Sequence, residues 1–255
     1  MTGSDAKADL HRYLQDAREA LLWKLDGLSE YDIRRPMVPT GTNLLGLVKH
    51  VASVELGYFG DTFGRPFGER LPWLEADAEP NADMWATPGE SREQITGLYR
   101  RAWAHSDETI STLALGAVGH VPWWPENRSE VTLHKILVHM IAETDRHAGQ
   151  ADIVRELIDG ATGLRGSNDS MAQGDQAWRE GYRSRLERAA KEADRTTARE
   201  AASEGAGPDP ASEGAGPEST PERGAAVTTG SREGGRATFG PGASVPVRVA
   251  AGPGT

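Results

Sequence analysis

The chain contains no cysteine. That absence excludes disulfides, thiolate-bound metals, cysteine-ligated iron–sulfur clusters and a cysteine nucleophile. Any thiol chemistry must therefore draw on a thiol from outside the chain. Positive charge is also in deficit: 28 Lys and Arg against 38 Asp and Glu leave a formal net charge of -10 and a pI near 5.2. No net positive field attracts phosphates, which argues against nucleic acid as the main partner. Long apolar runs are missing as well. Residues 1–10 are polar and charged, without the apolar stretch of an export signal, and nowhere do about 20 apolar residues follow one another. No membrane partner is expected, and the cytoplasm is the default address.

What the sequence does contain is helical periodicity. Over residues 5–26, Leu10, Tyr13, Leu14, Ala17, Leu21 and Leu25 recur at helical spacing, with Gly27 placed to end the helix. Pro36 and Pro39 make residues 29–41 a loop, because proline lacks the amide donor and clashes with the preceding turn. A second helix is predicted over residues 42–63 from Leu44, Leu47, Val48, Val51, Val54 and Tyr58. Residues 64–89 are rich in proline, glycine and acid, with Trp73 and Trp85 among them, and read as a long ordered loop over something apolar. Ser91 and Gln94 have the capping-box pattern and open a third helix that runs to about residue 115. After a turn-rich stretch holding Trp123 and Trp124, a fourth pattern covers residues 129–158 and ends at Gly160.

These four amphipathic segments predict an all-α fold, a four-helix bundle over residues 1–165. Residues 166–195 form a possible helical extension, in which Trp178, Tyr182 and Leu186 stand among many charges. From 196 to 255 the chain repeats Ala202-Ser203-Glu204-Gly205-Ala206-Gly207-Pro208 as Ala211-Ser212-Glu213-Gly214-Ala215-Gly216-Pro217 and is poor in large apolar residues. Such a segment cannot offset the entropy of ordering, so a disordered C-terminal tail is expected.

The chemistry sits on the second and fourth helices. His139, Glu143 and His147 are spaced four apart, so each step turns the side chain by only about 40°. Ile136, Met140, Val154 and Ile158 share their arc, which points the three polar groups at the core. On the second helix His50 lies close to the arc of Leu47, Val54 and Tyr58, while Lys49 projects elsewhere. Histidine on one helix facing Glu-x-x-x-His on another is a way bundles build metal sites. Two nitrogens and one carboxylate oxygen suit zinc and leave a fourth position for water or substrate. The bland readings stand beside this one. The inward groups can form a hydrogen-bonded core network, and Glu143 can pair with Arg146 three residues on. His139 can replace Glu143 as third ligand or orient a ligand through a hydrogen bond. Asp61 falls near the His50 arc but where the helix should fray, as a solvated acid. Spacing alone does not choose among these.

Two segments carry a family resemblance. Pro39-Thr40-Gly41-Thr42-Asn43-Leu44-Leu45-Gly46-Leu47-Val48-Lys49-His50 resembles the second-helix signature of the DinB-like superfamily, where the closing histidine is a metal ligand. The run Leu137-Val138-His139-Met140-Ile141-Ala142-Glu143-Thr144-Asp145-Arg146-His147-Ala148-Gly149-Gln150-Ala151-Asp152 resembles its fourth-helix signature. The likeness covers about residues 9–160 and is nearest to an actinobacterial branch whose wider relatives include mycothiol-dependent isomerases and transferases. It implies a divalent metal, with zinc the first choice, held by His50, Glu143 and His147, and it makes His139 a pocket or orienting residue. Many members carry histidine at the position of Glu143; the maleylpyruvate isomerase type is similar to the His/Glu/His set found here. The implied activity is transfer of a low-molecular-weight thiol such as mycothiol to a small electrophile, or isomerisation of that electrophile. The competing reading is a metal-binding stress or interaction protein without catalysis. No catalytic residue beyond the ligands is singled out, and Trp73, Trp123 and Trp124 are candidates either for lining a pocket or for packing. Bundles of this kind can form homodimers, although no exposed stripe marks a dimer face.

Overall fold

The computed structural model describes residues 5–166 and 174–205. Helix α1 (Ala6–Leu22) is capped by Asp5, whose side chain accepts from the Lys7 amide, and ends in a short turn before Gly27. Helix α2 (Glu30–Arg34) occupies part of the stretch expected to be loop. Ser29 caps it, acids fill its first turn, and Pro36 prevents its extension. Helix α3 (Leu44–Phe59) is capped by Asn43. Helix α4 (Arg92–Thr112) starts at the capping box of Ser91 and Gln94, with both reciprocal bonds formed. Strand β1 (Val118–His120), the single turn α5 (Glu126–Ser129) and strand β2 (Glu130–Thr132) follow, the strands pairing antiparallel with Gly119 opposite Val131. Helix α6 (Leu133–Asp159) is capped by Thr132 and stopped by Gly160 at φ 80°.

The long helices α1, α3, α4 and α6 form the bundle. Helix α3 is its central member: it packs on α4 and α6, and all 16 of its residues are buried. Its sequence accounts for this. Leu45, Leu56 and Phe59 lie off the stripe that periodicity picks out, so the helix is apolar nearly all round and suited to burial on every side. Lys49, off that stripe too, is buried nonetheless, because residues 64–90 fold over it. Trp73 donates to the Ser53 hydroxyl at 2.8 Å, and Lys49 donates to the carbonyls of Ala82 and Trp85 at 3.0 Å each. Helix α1 packs against α6.

The apolar interior falls into two clusters. One gathers Leu21, Leu45, Val48, Ile95, Leu98 and Ala151; the other gathers Leu14, Phe59, Ile110, Leu133, Ile136 and Met140. Each fully buried leucine or isoleucine contributes about 1.5–3 kcal/mol. Along α6 the second cluster ends at Met140 and the first begins at Ala148. Glu143, Thr144 and His147 occupy the gap.

Helix α7 (Gln176–Gly205) belongs to a separate unit. The Trp178 and Tyr182 rings stack on it at 5.3 Å. It runs past residue 195, where the sequence suggested an end, because residues 196–204 still include Ala, Arg and Glu, which favour helix. Of the tail expected to be disordered over 196–255, residues 196–205 are helical and the part from 206 onward lies outside the described residues. Among the described residues no helix is long and apolar enough to cross a membrane.

Candidate metal centre

The two faces read from sequence as pointing inward do meet. His50 on α3 and His147 on α6 are each 6 % exposed, and with Glu143 they place one donor atom apiece within 4.8 Å of one another. Glu143 Oε1 lies 3.0 Å from His147 Nε2 and 3.9 Å from His50 Nε2. The Glu143 side chain keeps 23 % exposure, so the cluster is open on that side.

Both imidazoles are oriented from behind. His50 Nδ1 is 2.6 Å from Asp83 Oδ2, and His147 Nδ1 is 2.8 Å from Gln150 Oε1. Each of these partners accepts an N–H, so each Nδ1 is assigned a proton and each Nε2 faces Glu143, where a proton or a metal ion can sit between ring and carboxylate. Burial disfavours the His50 imidazolium, but the hydrogen bond to Asp83 and the nearby Glu143 carboxylate outweigh it and push its pKa up to about 9. The hydrogen bond from His147 and the nearby His50 ring hold the Glu143 carboxyl far below the usual carboxylate range, against the effect of burial. Two neutral imidazole nitrogens and a carboxylate oxygen are a donor set that zinc accepts. Metal–donor bonds of about 2.0–2.1 Å at tetrahedral angles put donors about 3.3 Å apart; the 3.0 and 3.9 Å distances to Glu143 lie on either side of that, and the whole set, now within 4.8 Å, would draw together on a metal.

His139 is not in the cluster. One turn before Glu143, its ring packs edge-on against Tyr58 at 4.6 Å and Trp124 at 5.4 Å. Burial lowers its pKa, only partly countered by the charge of Glu143. Trp124 donates to the Tyr58 hydroxyl at 3.0 Å, and Trp123 packs on the same ring. Trp73 lies apart from that group, in the segment folded over α3, with the Lys49 ammonium over its ring at 4.1 Å. Asp61 is half-buried in the turn after α3 rather than solvated, and burial raises its carboxyl. Arg146 stands 3.9 Å from the other oxygen of Glu143, a loose contact beside that to His147.

Sequence reasoning missed Asp83 and Gln150. Gln150 was within reach, since it sits three residues after His147 on the same face of α6. Asp83 was not: it comes from a stretch without periodicity, and only the folded path of residues 64–90 brings it to His50.

By fold and site, then, the chain is a helical bundle whose core holds a convergent His/Glu/His cluster capable of binding a metal ion. The family model for mycothiol-S-transferase matches residues 9–160, more than half of the chain, and the protein belongs to that family. No curated protein matches it.

Proposed function

We propose that the protein is a metal-dependent enzyme that activates mycothiol, or a closely similar thiol, for transfer to a small electrophile. The observation carrying this reading is the convergence of His50 Nε2, His147 Nε2 and a Glu143 oxygen within 4.8 Å in a chain of the mycothiol-S-transferase family. His50, Glu143 and His147 are its metal ligands, and zinc is the ion their donor set suits best. When bound, such an ion lowers the pKa of a coordinated thiol, so that the nucleophilic thiolate is available at neutral pH.

The chain's own groups do the rest. Asp83 and Gln150 accept the Nδ1 protons and keep both Nε2 atoms aimed inward. The partial exposure of Glu143 leaves a way in for the thiol. Since the chain has no cysteine, the reacting sulfur comes from that thiol. Its proton leaves to solvent, its electron pair forms the new bond to the electrophilic carbon, and the bond to the leaving group breaks. Tyr58, Trp123, Trp124 and the half-buried His139 form an aromatic wall on the Glu143 side of α6, against which a flat apolar electrophile would rest. We assign this work to the bundle of residues 1–165 and to the cytoplasm, where low-molecular-weight thiols are kept reduced.

The test is conjugate formation from mycothiol and a panel of electrophiles, including an activated aryl halide, by metal-loaded and by chelated protein. Metal-dependent conjugation supports the reading. Bound metal without turnover across a broad panel favours a non-catalytic metal-binding role.

A further inference from the structure

The long segment over α3 touches the histidine cluster at one short turn, Ala82–Met84, and that turn has a fitted seat. Asn43 donates through Nδ2 to the Met84 carbonyl at 3.1 Å. Gly46 allows the closest approach: a Cβ there would lie 1.8 Å from the Met84 oxygen, an impossible contact. The Lys49 ammonium donates to the Ala82 and Trp85 carbonyls at 3.0 Å each and pairs with Glu90 at 2.8 Å. The three α3 residues are spaced three apart, and between them they grip the backbone on both sides of Asp83. Asn81 enters the turn at φ 62°, a left-handed conformation that asparagine tolerates better than most residues. The outcome is a buried contact of 2.6 Å between Asp83 Oδ2 and His50 Nδ1.

We infer that the Ala82–Met84 turn, seated on Asn43, Gly46 and Lys49, is a positioning device that fixes the tautomer and direction of His50 for metal binding. The inference rests on the proposed role of His50 as a ligand and extends it to four residues that touch no substrate. The two histidines are supported unequally. Gln150 comes from the helix of His147 itself and needs no outside anchor, whereas Asp83 depends on contacts between its loop and other elements: α3 grips the turn around it, and Arg34 of α2 holds the carbonyls of Ala86, Thr87 and Glu90 further on. A seat with glycine at its closest point and a buried lysine spanning the turn is more than a loop needs merely to cover apolar surface. An anionic acceptor behind the imidazole also raises its basicity as a ligand.

The test is zinc affinity, measured by competition with a chromophoric chelator, together with the visible spectrum of the cobalt-loaded protein. Asp83→Ala should bind zinc about 10- to 100-fold more weakly and show an altered cobalt spectrum. Asp83→Asn should recover most of that affinity, because its amide oxygen still accepts the Nδ1 proton. Lys49→Met keeps the apolar stem while releasing the turn, and should weaken binding with Asp83 intact. Gly46→Ala should do the same if it folds. Unfolding in excess chelator separates loss of fold from loss of ligand orientation. Wild-type zinc binding matched by Asp83→Ala and Lys49→Met would overturn the inference alone. Absence of zinc uptake by the wild type would overturn the metal reading, and this inference with it.

Discussion

Two carboxylates point into the bundle, Glu55 fully buried and Glu143 partly so, and their surroundings differ in one respect. Glu55 on α3 has a cation built into the chain. Arg18 from α1 donates to its two oxygens at 2.5 and 3.3 Å, and also to Asp107 of α4 at 2.8 Å, where His11 makes a further contact of 2.8 Å. Both Arg18 and Glu55 are fully buried. Glu143 on α6 has no arginine fixed against it in this way; Arg146 stands off at 3.9 Å. Glu143 faces the Nε2 atoms of two imidazoles whose Nδ1 protons are engaged by Asp83 and Gln150, so that without a metal a proton has to lie between a ring and the carboxylate. The Glu55 network is what a buried polar core looks like when it is electrostatically complete. The Glu143 cluster is complete only with a cation, either a proton shared with a histidine or a metal ion.

The sharpest way to use this contrast is to remove each cation in turn. Arg18→Met should destabilise the protein by about 3–5 kcal/mol, because it strands Glu55 in the core. Denaturant unfolding should return the same loss with and without chelator, since no exogenous ion serves that network. Chelating the wild type should lower its unfolding free energy by about 2.7 kcal/mol relative to protein with free zinc at a hundred times its dissociation constant. The difference should vanish in His147→Ala. A chelator effect of equal size in that variant would place the ion elsewhere.

Acidity sharpens the comparison further. In chelated protein the His50 pKa, raised to about 9, lies above its unfolded value of 6.5. Its contribution is then fully present below pH 6.5 and lost as the pH rises through 9. Stability of the chelated wild type should fall across that window by on the order of 3 kcal/mol, and His50→Gln should lack the slope. With zinc bound the dependence should reverse, because protons compete with the metal for the ligands. The smallest effect concerns neither cluster. Ser91→Ala should cost about 1 kcal/mol by breaking the capping box of α4, with zinc affinity unchanged.

Much of this was legible in the sequence where a feature is periodic. The four long helices, the capping box at Ser91 and the stops at Gly27 and Gly160 follow from spacing and local hydrogen-bonding chemistry. So does the inward aim of His50, Glu143 and His147, since a four-residue step keeps side chains on one face. What was not legible depends on contacts between segments far apart in the chain. The Arg18 and Glu55 pairing joins α1 to α3, and nothing local names either as the other's partner. The signal available was that α3 is apolar on nearly every side, so any charge on it, Glu55 and Lys49 alike, must be buried and matched. Lys49 lies off the single stripe read on that helix, whereas Glu55 falls on it between Val51 and Val48 and was marked by its charge alone. Asp83 was invisible for the same reason as the path of its loop: glycine at 46 and lysine at 49 reveal their purpose only once the Ala82–Met84 turn lies on them. The family resemblance over the bundle was legible too, and the match over residues 9–160 agrees with it.

The most direct measurement is metal content per chain by elemental analysis, on wild type, His50→Ala and His147→Ala purified without a histidine tag. One metal ion per wild-type chain, lost from both variants while their helical content persists, is the expected result. A metal-free wild type that also takes up no added zinc, cobalt or nickel would contradict the reading of His50, Glu143 and His147 as a metal centre.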